Sequence, residues 1–184
     1  MRYYKTEGII IKRINFGEAD RILTVLTKNY GKIRVKAPGV RKITSRRSSH
    51  IELLNLSTLT LYSNSHLLLP IVTEAQAQEE FLSIKKTLRK IGFAYYICEL
   101  IDALCAQNQE NRRIFFLARD TLFKLSNYSL NSNGAIEQWS NRMIDNFEDE
   151  LLVTLGFLAR EHKLMDKRSF IENILERKLR TKRL

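Results

Sequence analysis

The chain is poor in cysteine, with two thiols among 184 residues, Cys98 and Cys105. Two thiols cannot form the multi-bridge framework of small secreted domains. Neither they nor the three histidines have the spacing of a zinc site. Since the two cysteines are seven residues apart in a helical pattern, we expect them on one helix face as buried thiols. The sequence therefore predicts no metal and no cofactor.

Long apolar runs are also missing: no window approaches the roughly 18 to 20 apolar residues that a membrane span needs. The first residues, MRYYKTEGII, include no apolar stretch long enough for a signal peptide. We therefore expect a cytoplasmic protein without a membrane partner.

The sequence lacks the motifs of common enzyme classes, since it contains no GxxxxGK[ST], HExxH or GxSxG. Carboxylates do cluster at Asp145, Glu148 and Asp149. The helical period places them opposite Phe147 and Leu151, on a face where solvated charge is normal. We predict no catalytic residue and no enzyme activity.

Acidic residues are outnumbered, with 20 Asp and Glu against 31 Lys and Arg, which gives a net charge of +11. The excess is uneven, because residues 1–75 hold 13 basic and 5 acidic side chains. A strongly positive surface is typical of proteins that bind phosphate groups, in nucleic acid or at an anionic membrane. Nucleic acid is the expectation here.

Residues 1–76 show the alternating, β-branched pattern of short strands separated by turn signals. We predict five strands, at about 4–14, 19–28, 31–37, 50–62 and 66–75. Five short strands favour a small closed barrel, because closure removes unpaired sheet edges. In the third strand, alternation directs Lys32, Arg34 and Lys36 out of the barrel.

Residues 77–184 show the helical period instead, which indicates a second, all-helical domain. We predict helices at about 80–107, 111–126, 135–157 and 166–180, and a polar loop at 127–134. The predicted inner face of the first helix includes Leu88, Tyr95 and Cys98. Asp166 is an N-cap candidate, and Gly156 is a candidate helix end.

The stretch KIRVKAPGVRKITSRR, residues 32–47, contains seven basic residues and no acidic one. A surface for nucleic acid needs cations along the phosphates and flat side chains on which bases stack. Aromatic residues of the barrel half that could stack bases are Tyr3, Tyr4, Phe16, Tyr30 and Tyr62. The alternative is that these rings fill the barrel and that the charges form an ordinary solvated edge.

The stretch EGIIIKRINFGEADRILTVLTKNYGKIRVKAPGVRK, Glu7 to Lys42, resembles the amino-terminal OB-fold of the bacterial RecO family. The shared features are an opening strand that ends in basic residues, the phrase GEADRIL, and a basic strand that runs into a loop of Gly and Arg or Lys. YYICELIDAL and DELLVTLGF fall where that family has its helical domain. The resemblance implies an α+β protein, with a five-stranded OB-fold β-barrel at 1–76 followed by an all-helical domain at 77–184.

The resemblance also implies a recombination mediator that binds single- and double-stranded DNA and anneals complementary strands. Such a protein works with RecR to load RecA on strands coated with the single-strand-binding protein, SSB, so it is expected at the nucleoid. Many members carry a four-cysteine zinc module, but this chain has no cysteine after Cys105. Zinc is therefore not expected, and functions of the missing carboxyl-terminal part are not carried over. The candidate DNA-binding residues are Arg13, Lys32, Arg34, Lys36, Arg41, Lys42, Arg46 and Arg47.

A contact with the tail of SSB is a further implication, since that tail is acidic and ends in an apolar residue. Its receptor should combine an apolar pocket with nearby Arg or Lys. Arg112, Arg113 and Phe116 are the partner-binding candidates, because Phe115 and Phe116 cannot both face the core of one helix. The alternatives are the face of residues 85–90, or an outward ring that packs on a neighbouring helix.

Two other functions remain open at this point. One is an adaptor whose helical domain binds proteins while the barrel charge maintains solubility. The other is an RNA-binding OB-fold protein without DNA-annealing activity.

Overall fold

A computed structural model describes residues 2–128, 135–161 and 164–181, with backbone alone at 135–140. Most of the polar loop predicted at 127–134 lies outside the described residues. The chain divides into two compact units. The first consists of residues 1–81 and 105–115, and the second of residues 82–104 and 116–184.

The first unit contains five strands that close into a barrel in the order β1-β2-β3-β5-β4. Their bounds are β1, Arg2–Phe16; β2, Asp20–Thr27; β3, Gly31–Ala37; β4, Leu56–Ser63; and β5, Ile71–Glu79. The barrel core is aliphatic, with Ile10, Leu23, Val35, Leu59 and Leu61 among its fully buried side chains. The predicted five-stranded OB-fold is confirmed.

Two strand predictions were wrong at their starts, since β4 begins at Leu56 and β5 at Ile71. The segment before β4 contains a short 3₁₀ helix, Ser49–Ile51. Ile51 and Leu54 are buried there, and the Leu54 N–H donates to the Ile10 carbonyl at 2.8 Å. Apolar residues that pack against the barrel from a loop therefore gave the same pattern as a strand.

Helices follow the barrel, which confirms the predicted α+β class. Their bounds are α1, Leu82–Lys85; α2, Leu88–Leu104; α3, Arg112–Asn127; α4, Ala135–Thr154; and α5, Lys167–Leu175. The predicted helix at 80–107 is thus two helices. The Asp166 carboxylate accepts from the Ser169 N–H at 3.0 Å, and Gly156 takes a φ of 81° just after α4, so both predicted helix boundaries are confirmed.

The inner face predicted for the first helix is confirmed at Cys98, Ile101 and Cys105, which are buried, and was wrong at its first positions. Leu88 is 81% exposed and Tyr95 is 40% exposed, whereas Tyr96 is 1% exposed. The Tyr96 hydroxyl donates to the Glu148 carboxylate at 2.6 Å, so Glu148 is buried in the second unit and does not belong to a solvated face. The buried face of α2 is one broad stripe that runs through Phe93, Ile97 and Leu104, so the predicted face was displaced around the helix.

Both cysteines are buried free thiols, as predicted. Burial raises the pKa of Cys98 to about 12 and the pKa of Cys105 to about 11. Both groups are therefore neutral at physiological pH, and neutral thiols are poor nucleophiles and poor metal ligands.

A buried lysine caps the end of α3 within the second unit. Lys90 is 6% exposed, and its ammonium donates to the carbonyls of Ser126 at 3.2 Å and Tyr128 at 2.7 Å. Carbonyls at a helix end have no partner within the helix, so this ammonium satisfies them. Burial lowers the pKa of Lys90.

The segment between α2 and α3 returns to the barrel and covers the first residues of β3. Gln107 forms a parallel bridge with Lys32, and the Asn108 N–H donates to the Lys32 carbonyl at 2.8 Å. Lys32 is consequently 5% exposed. Alternation places Lys32 on the same side of β3 as Arg34 and Lys36, as predicted, but its expected exposure was wrong, because a distant part of the chain lies over that end of the strand.

Gly31 is required by this close approach. A Cβ at this position would lie 1.8 Å from the Gln109 carbonyl oxygen, and φ is +66°. Gly31→Ala should lower the free energy of unfolding by about 3 kcal/mol or more, since both a clash and a left-handed backbone oppose it. Gly17→Ala is the matched control, because Gly17 has a φ of +58° but nothing within 4 Å of its added Cβ.

The control substitution Gly17→Ala should lower the free energy of unfolding by about 1 to 2 kcal/mol, because only the left-handed backbone opposes it. Urea denaturation monitored by circular dichroism measures both variants. Equal losses in the two would contradict the close packing of residues 105–115 on β3.

Candidate nucleic-acid interface

The outer surface of β1, β2 and β3 forms the candidate interface. Residues opposite each other in antiparallel strands share one face of the sheet, and the fully buried pair of Leu23 and Val35 marks the inner face. Two outward rows cross the strands, Lys12–Thr24–Arg34 and Ile14–Ile22–Lys36. Phe16 continues the outward alternation to the end of β1. We call Lys12, Ile14, Phe16, Ile22, Arg34 and Lys36 the basic face.

Apolar groups and cations lie side by side on the basic face. Ile14 and Phe16 are each 49% exposed. The Lys36 ammonium lies 5.2 Å from the centre of the Phe16 ring, and Arg34 is exposed two residues earlier on β3. An exposed ring beside cations can stack a base while the cations bind phosphates.

Arg13 does not belong to the basic face, contrary to the prediction. It lies opposite Leu23 in the row that faces the barrel interior, and its guanidinium forms an ion pair with Glu52. Lys12, which the sequence analysis missed, takes the outward position. A bulge immediately before Lys12 shifts the alternation. The signal in the sequence is the run of three isoleucines ahead of it, since strict alternation does not bury three consecutive residues.

The segment Pro38–Ser48, which we call the basic loop, is fastened to the turn between β1 and β2. The Arg41 N–H donates to the Ala19 carbonyl at 2.9 Å, and its guanidinium donates to the Gly17 carbonyl at 3.0 Å. Arg41, Lys42 and Arg46 are exposed. The loop therefore presents three cations next to the basic face.

Arg47 has an internal position that the sequence did not indicate. It is half-buried, and its guanidinium donates to the Pro38 carbonyl at 2.7 Å and to the Val72 carbonyl. These bonds close the basic loop onto β5. Arg47 thus supports the loop, whereas it was predicted to contact DNA directly.

Asp20 joins the basic loop to the basic face. Its carboxylate accepts from the Gly39 N–H at 2.8 Å and forms an ion pair with Lys36 at 3.0 Å. The Gly39 N–H first, and then the Lys36 ammonium, hold the pKa of Asp20 below its ordinary value. The carboxylate is therefore ionised at neutral pH.

The aromatic residues divide between core and surface. Tyr4 and Tyr30 make an edge contact with ring centres 4.8 Å apart and pack against the barrel core, so burial raises the pKa of Tyr4. Tyr3 is 66% exposed and contacts Tyr62, with ring centres 4.9 Å apart. Of these five aromatic residues, Phe16 is the candidate for base stacking, because its ring is exposed and lies beside the Lys36 ammonium.

The predicted partner-binding residues lie at the start of α3. Arg112 and Arg113 are exposed, and Arg112 forms an ion pair with Glu110 at 2.9 Å. Phe115 is fully buried and Phe116 is half-buried, as expected for neighbouring residues on one helix.

The arginine that lies over the Phe116 ring is neither of the two predicted from the sequence. The Arg119 guanidinium is 4.7 Å from the ring centre. The spacing of three residues between Phe116 and Arg119 was the available signal, because residues three apart are neighbours on a helix surface.

Neither a metal site nor a membrane-spanning helix is present in the part of the chain that the structure describes. No group of three or more His, Cys, Asp or Glu side chains there could hold a metal ion. Among the same residues, no helix has both the length and the apolar character for crossing a bilayer.

Comparison with known proteins identifies the same family over both units. The family model described as recombination protein O N terminal matches residues 1–81, and recombination protein O C terminal matches residues 85–162. The chain is 39% identical to the DNA repair protein RecO of Roseiflexus sp. (strain RS-1), over 85% of this chain and 51% of that protein. The RecO of Pelotomaculum thermopropionicum is 33% identical over 66% of this chain and 47% of its own length, and that of Acetivibrio thermocellus is 31% identical over 85% and 59%. The chain spans about half the length of these curated relatives.

The contacts of Asp20 predict how the basic loop responds to substitution. Asp20→Ala should speed hydrogen exchange of the Gly39 amide about tenfold, because that amide loses a hydrogen bond to an ionised acceptor. Glu18→Ala removes the same charge from an exposed neighbour and should leave the exchange rate unchanged.

The pKa of Asp20 is depressed, so its support for the loop is present above the ordinary value of 3.8 and is lost as the pH falls through the lower folded value. Exchange of the Gly39 amide, corrected for intrinsic rate, should therefore approach that of Asp20→Ala only at pH values below 3.8. Equal protection in wild type and Asp20→Ala at neutral pH would refute this anchor.

Proposed function

Since the chain belongs to the recombination protein O (RecO) family, we propose that it acts in DNA repair and recombination by holding DNA on the basic face and the basic loop. The observation that carries this proposal is the exposed Phe16 ring beside Lys36, on a sheet surface that also presents Lys12 and Arg34. The net charge of residues 1–75 favours a polyanion as the ligand.

The DNA contacts are independent of sequence. Lysine and arginine bind phosphates, which are identical at every nucleotide, and an aromatic ring stacks on any base. Neither contact occupies the edge through which a base pairs. A strand held in this way is free to meet its complement, so we propose strand annealing as the activity, without catalytic chemistry.

RecR, SSB and indirectly RecA are the proposed protein partners, by extension from the family resemblance. For the acidic tail of SSB, the exposed Arg112 and Arg113 at the start of α3 supply positive charge. The half-buried Phe116 supplies an apolar contact on the same helix. Charge complementarity of this kind guides association and fixes orientation.

DNA binding is tested by reversing two exposed charges, Arg34→Glu and Arg46→Glu. With about four to six phosphates neutralised, log affinity of the wild type for single strands should fall with log salt at a slope of about −3 to −4. The double variant should bind about a hundredfold more weakly at low salt and show a shallower slope. Fluorescence anisotropy with labelled oligonucleotides of several sequences measures both quantities.

The matched control is Lys86→Glu with Arg89→Glu, which makes the same change in net charge at exposed positions of the second unit. It should bind DNA nearly as well as the wild type. Equal weakening by both pairs would show that overall charge, and not the basic face, attracts DNA. A preference for RNA of the same sequence would favour the RNA-binding alternative, and no binding at low salt would favour the adaptor.

Annealing is measured by mixing complementary oligonucleotides coated with SSB, with and without the protein. The proposal requires faster annealing with the wild type than with Arg34→Glu, Arg46→Glu. DNA binding without any acceleration would overturn the annealing activity and leave the binding site standing.

The SSB contact is tested with a synthetic peptide of the SSB tail and the variant Arg112→Glu, Arg113→Glu. Reversal of two charges should weaken peptide binding about tenfold or more, measured by anisotropy. The pair Lys86→Glu, Arg89→Glu again serves as control. Equal peptide affinity of the wild type and the Arg112→Glu, Arg113→Glu variant would exclude this site. Loss of peptide affinity in the control pair would place the contact on the face of residues 85–90. No binding of the peptide to the wild type would reject the SSB contact.

A further inference from the structure

Ile43 occupies an unusual position for a β-branched aliphatic residue. It is fully exposed, and it follows Lys42 in a turn closed by a hydrogen bond from the Ser45 N–H to the Lys42 carbonyl at 2.9 Å. Central positions of such turns normally hold Gly, Pro, Asn, Asp or Ser. A fully exposed side chain gains nothing from burial, so folding does not explain an isoleucine here.

The turn that carries Ile43 is firmly held. The basic loop is bonded to the β1–β2 turn through Arg41 and to β5 through Arg47. Its first part is bonded to Asp20 through the Gly39 N–H. Ile43 is therefore presented at the tip of a fastened loop, and little conformational entropy remains to be lost when the tip meets a ligand.

The charges around Ile43 indicate what it meets. Arg41, Lys42 and Arg46 are exposed on both sides of it, and Arg41 bonds to the turn that follows Phe16. A single exposed apolar residue is ordinary by itself. An apolar tip flanked by three cations, on a loop bonded to the turn after Phe16, matches the way in which DNA-bending proteins insert a wedge between bases. In those proteins cations bind the flanking phosphates.

We propose that Ile43 is a wedge that enters the base stack of bound DNA. This inference rests on the proposed DNA binding and adds a specific event to it: the bases on either side of the inserted side chain lose their mutual stacking. Arg41, Lys42 and Arg46 bind the phosphates next to the opened step. Unstacked bases exchange pairing partners more readily. The wedge would therefore promote the exchange of one base pair for another during annealing.

The chain provides a matched control in Leu68. This side chain is also fully exposed, in the loop NSHLLLP between β4 and β5, which contains no Lys or Arg. Ile43→Ser and Leu68→Ser therefore remove comparable apolar groups, of which only the first is surrounded by cations. Neither substitution touches a buried contact, so both variants should fold as the wild type does.

The test uses a short duplex of about 16 base pairs, comparable to the longest stretch that one OB-fold covers, with 2-aminopurine in one strand. Its fluorescence rises when the base loses its stacking partner. The wild type, Leu68→Ser and the conservative variant Ile43→Leu should raise the fluorescence at saturation about threefold or more, as expected for an opened base step. Ile43→Ser should reduce this rise to less than half, while its affinity by anisotropy stays within about twofold because all phosphate contacts remain.

Each other outcome is decisive. Equal fluorescence with wild type and Ile43→Ser, or equal loss with Leu68→Ser, would overturn the wedge. Tight binding by wild type without a rise in fluorescence would overturn it as well and leave the proposed DNA binding intact. No binding of any duplex or single strand would instead reject the proposed function. Binding of wild type, but not of Ile43→Ser, to vesicles of phosphatidylserine, with no fluorescence change on DNA, would assign Ile43 to a membrane surface.

Discussion

The carboxylate of Asp20 determines the form of the surface on which the proposed functions depend. It lies within a strongly positive part of the chain, and it binds the Gly39 N–H and the Lys36 ammonium at the same time. Without this acceptor, the Gly39 N–H would lose its hydrogen bond and the Lys36 ammonium its ion pair. One carboxylate therefore joins the basic loop to the basic face.

The cations of the barrel serve two purposes that sequence alone does not separate. Arg13 donates to a carboxylate at the surface and Arg47 donates to main-chain carbonyls, so both bind within the protein. Arg34, Lys42 and Arg46 are exposed and present charge to solvent. An arginine can satisfy several carbonyls with its fork of donors, which explains why a loop rich in arginine can support itself and still display positive charge.

The local pattern was sufficient to predict the barrel, the helical second part, the cap at Asp166 and the burial of both cysteines, because each of these depends on neighbours in the sequence. Lys32 was misplaced because residues far along the chain cover it. Arg13 was preferred to Lys12 because a bulge reverses the alternation of β1. The face of α2 was displaced because its buried stripe is broad, and Cys98 at one margin was taken for its centre. In each case the deciding contact came from outside the window in which the pattern was counted.

The return of residues 105–115 to the barrel has a consequence for how the protein is made. The ribosome delivers the chain from its amino terminus, so all five strands emerge before the segment that covers the edge of β3. During that interval the nascent barrel exposes a strand edge, which is a template for pairing with other chains. The whole of α2 must be synthesised before the edge is covered, and contacts between such distant residues form slowly. Synthesis therefore passes through a stage in which the five strands are complete while the first residues of β3 are still uncovered.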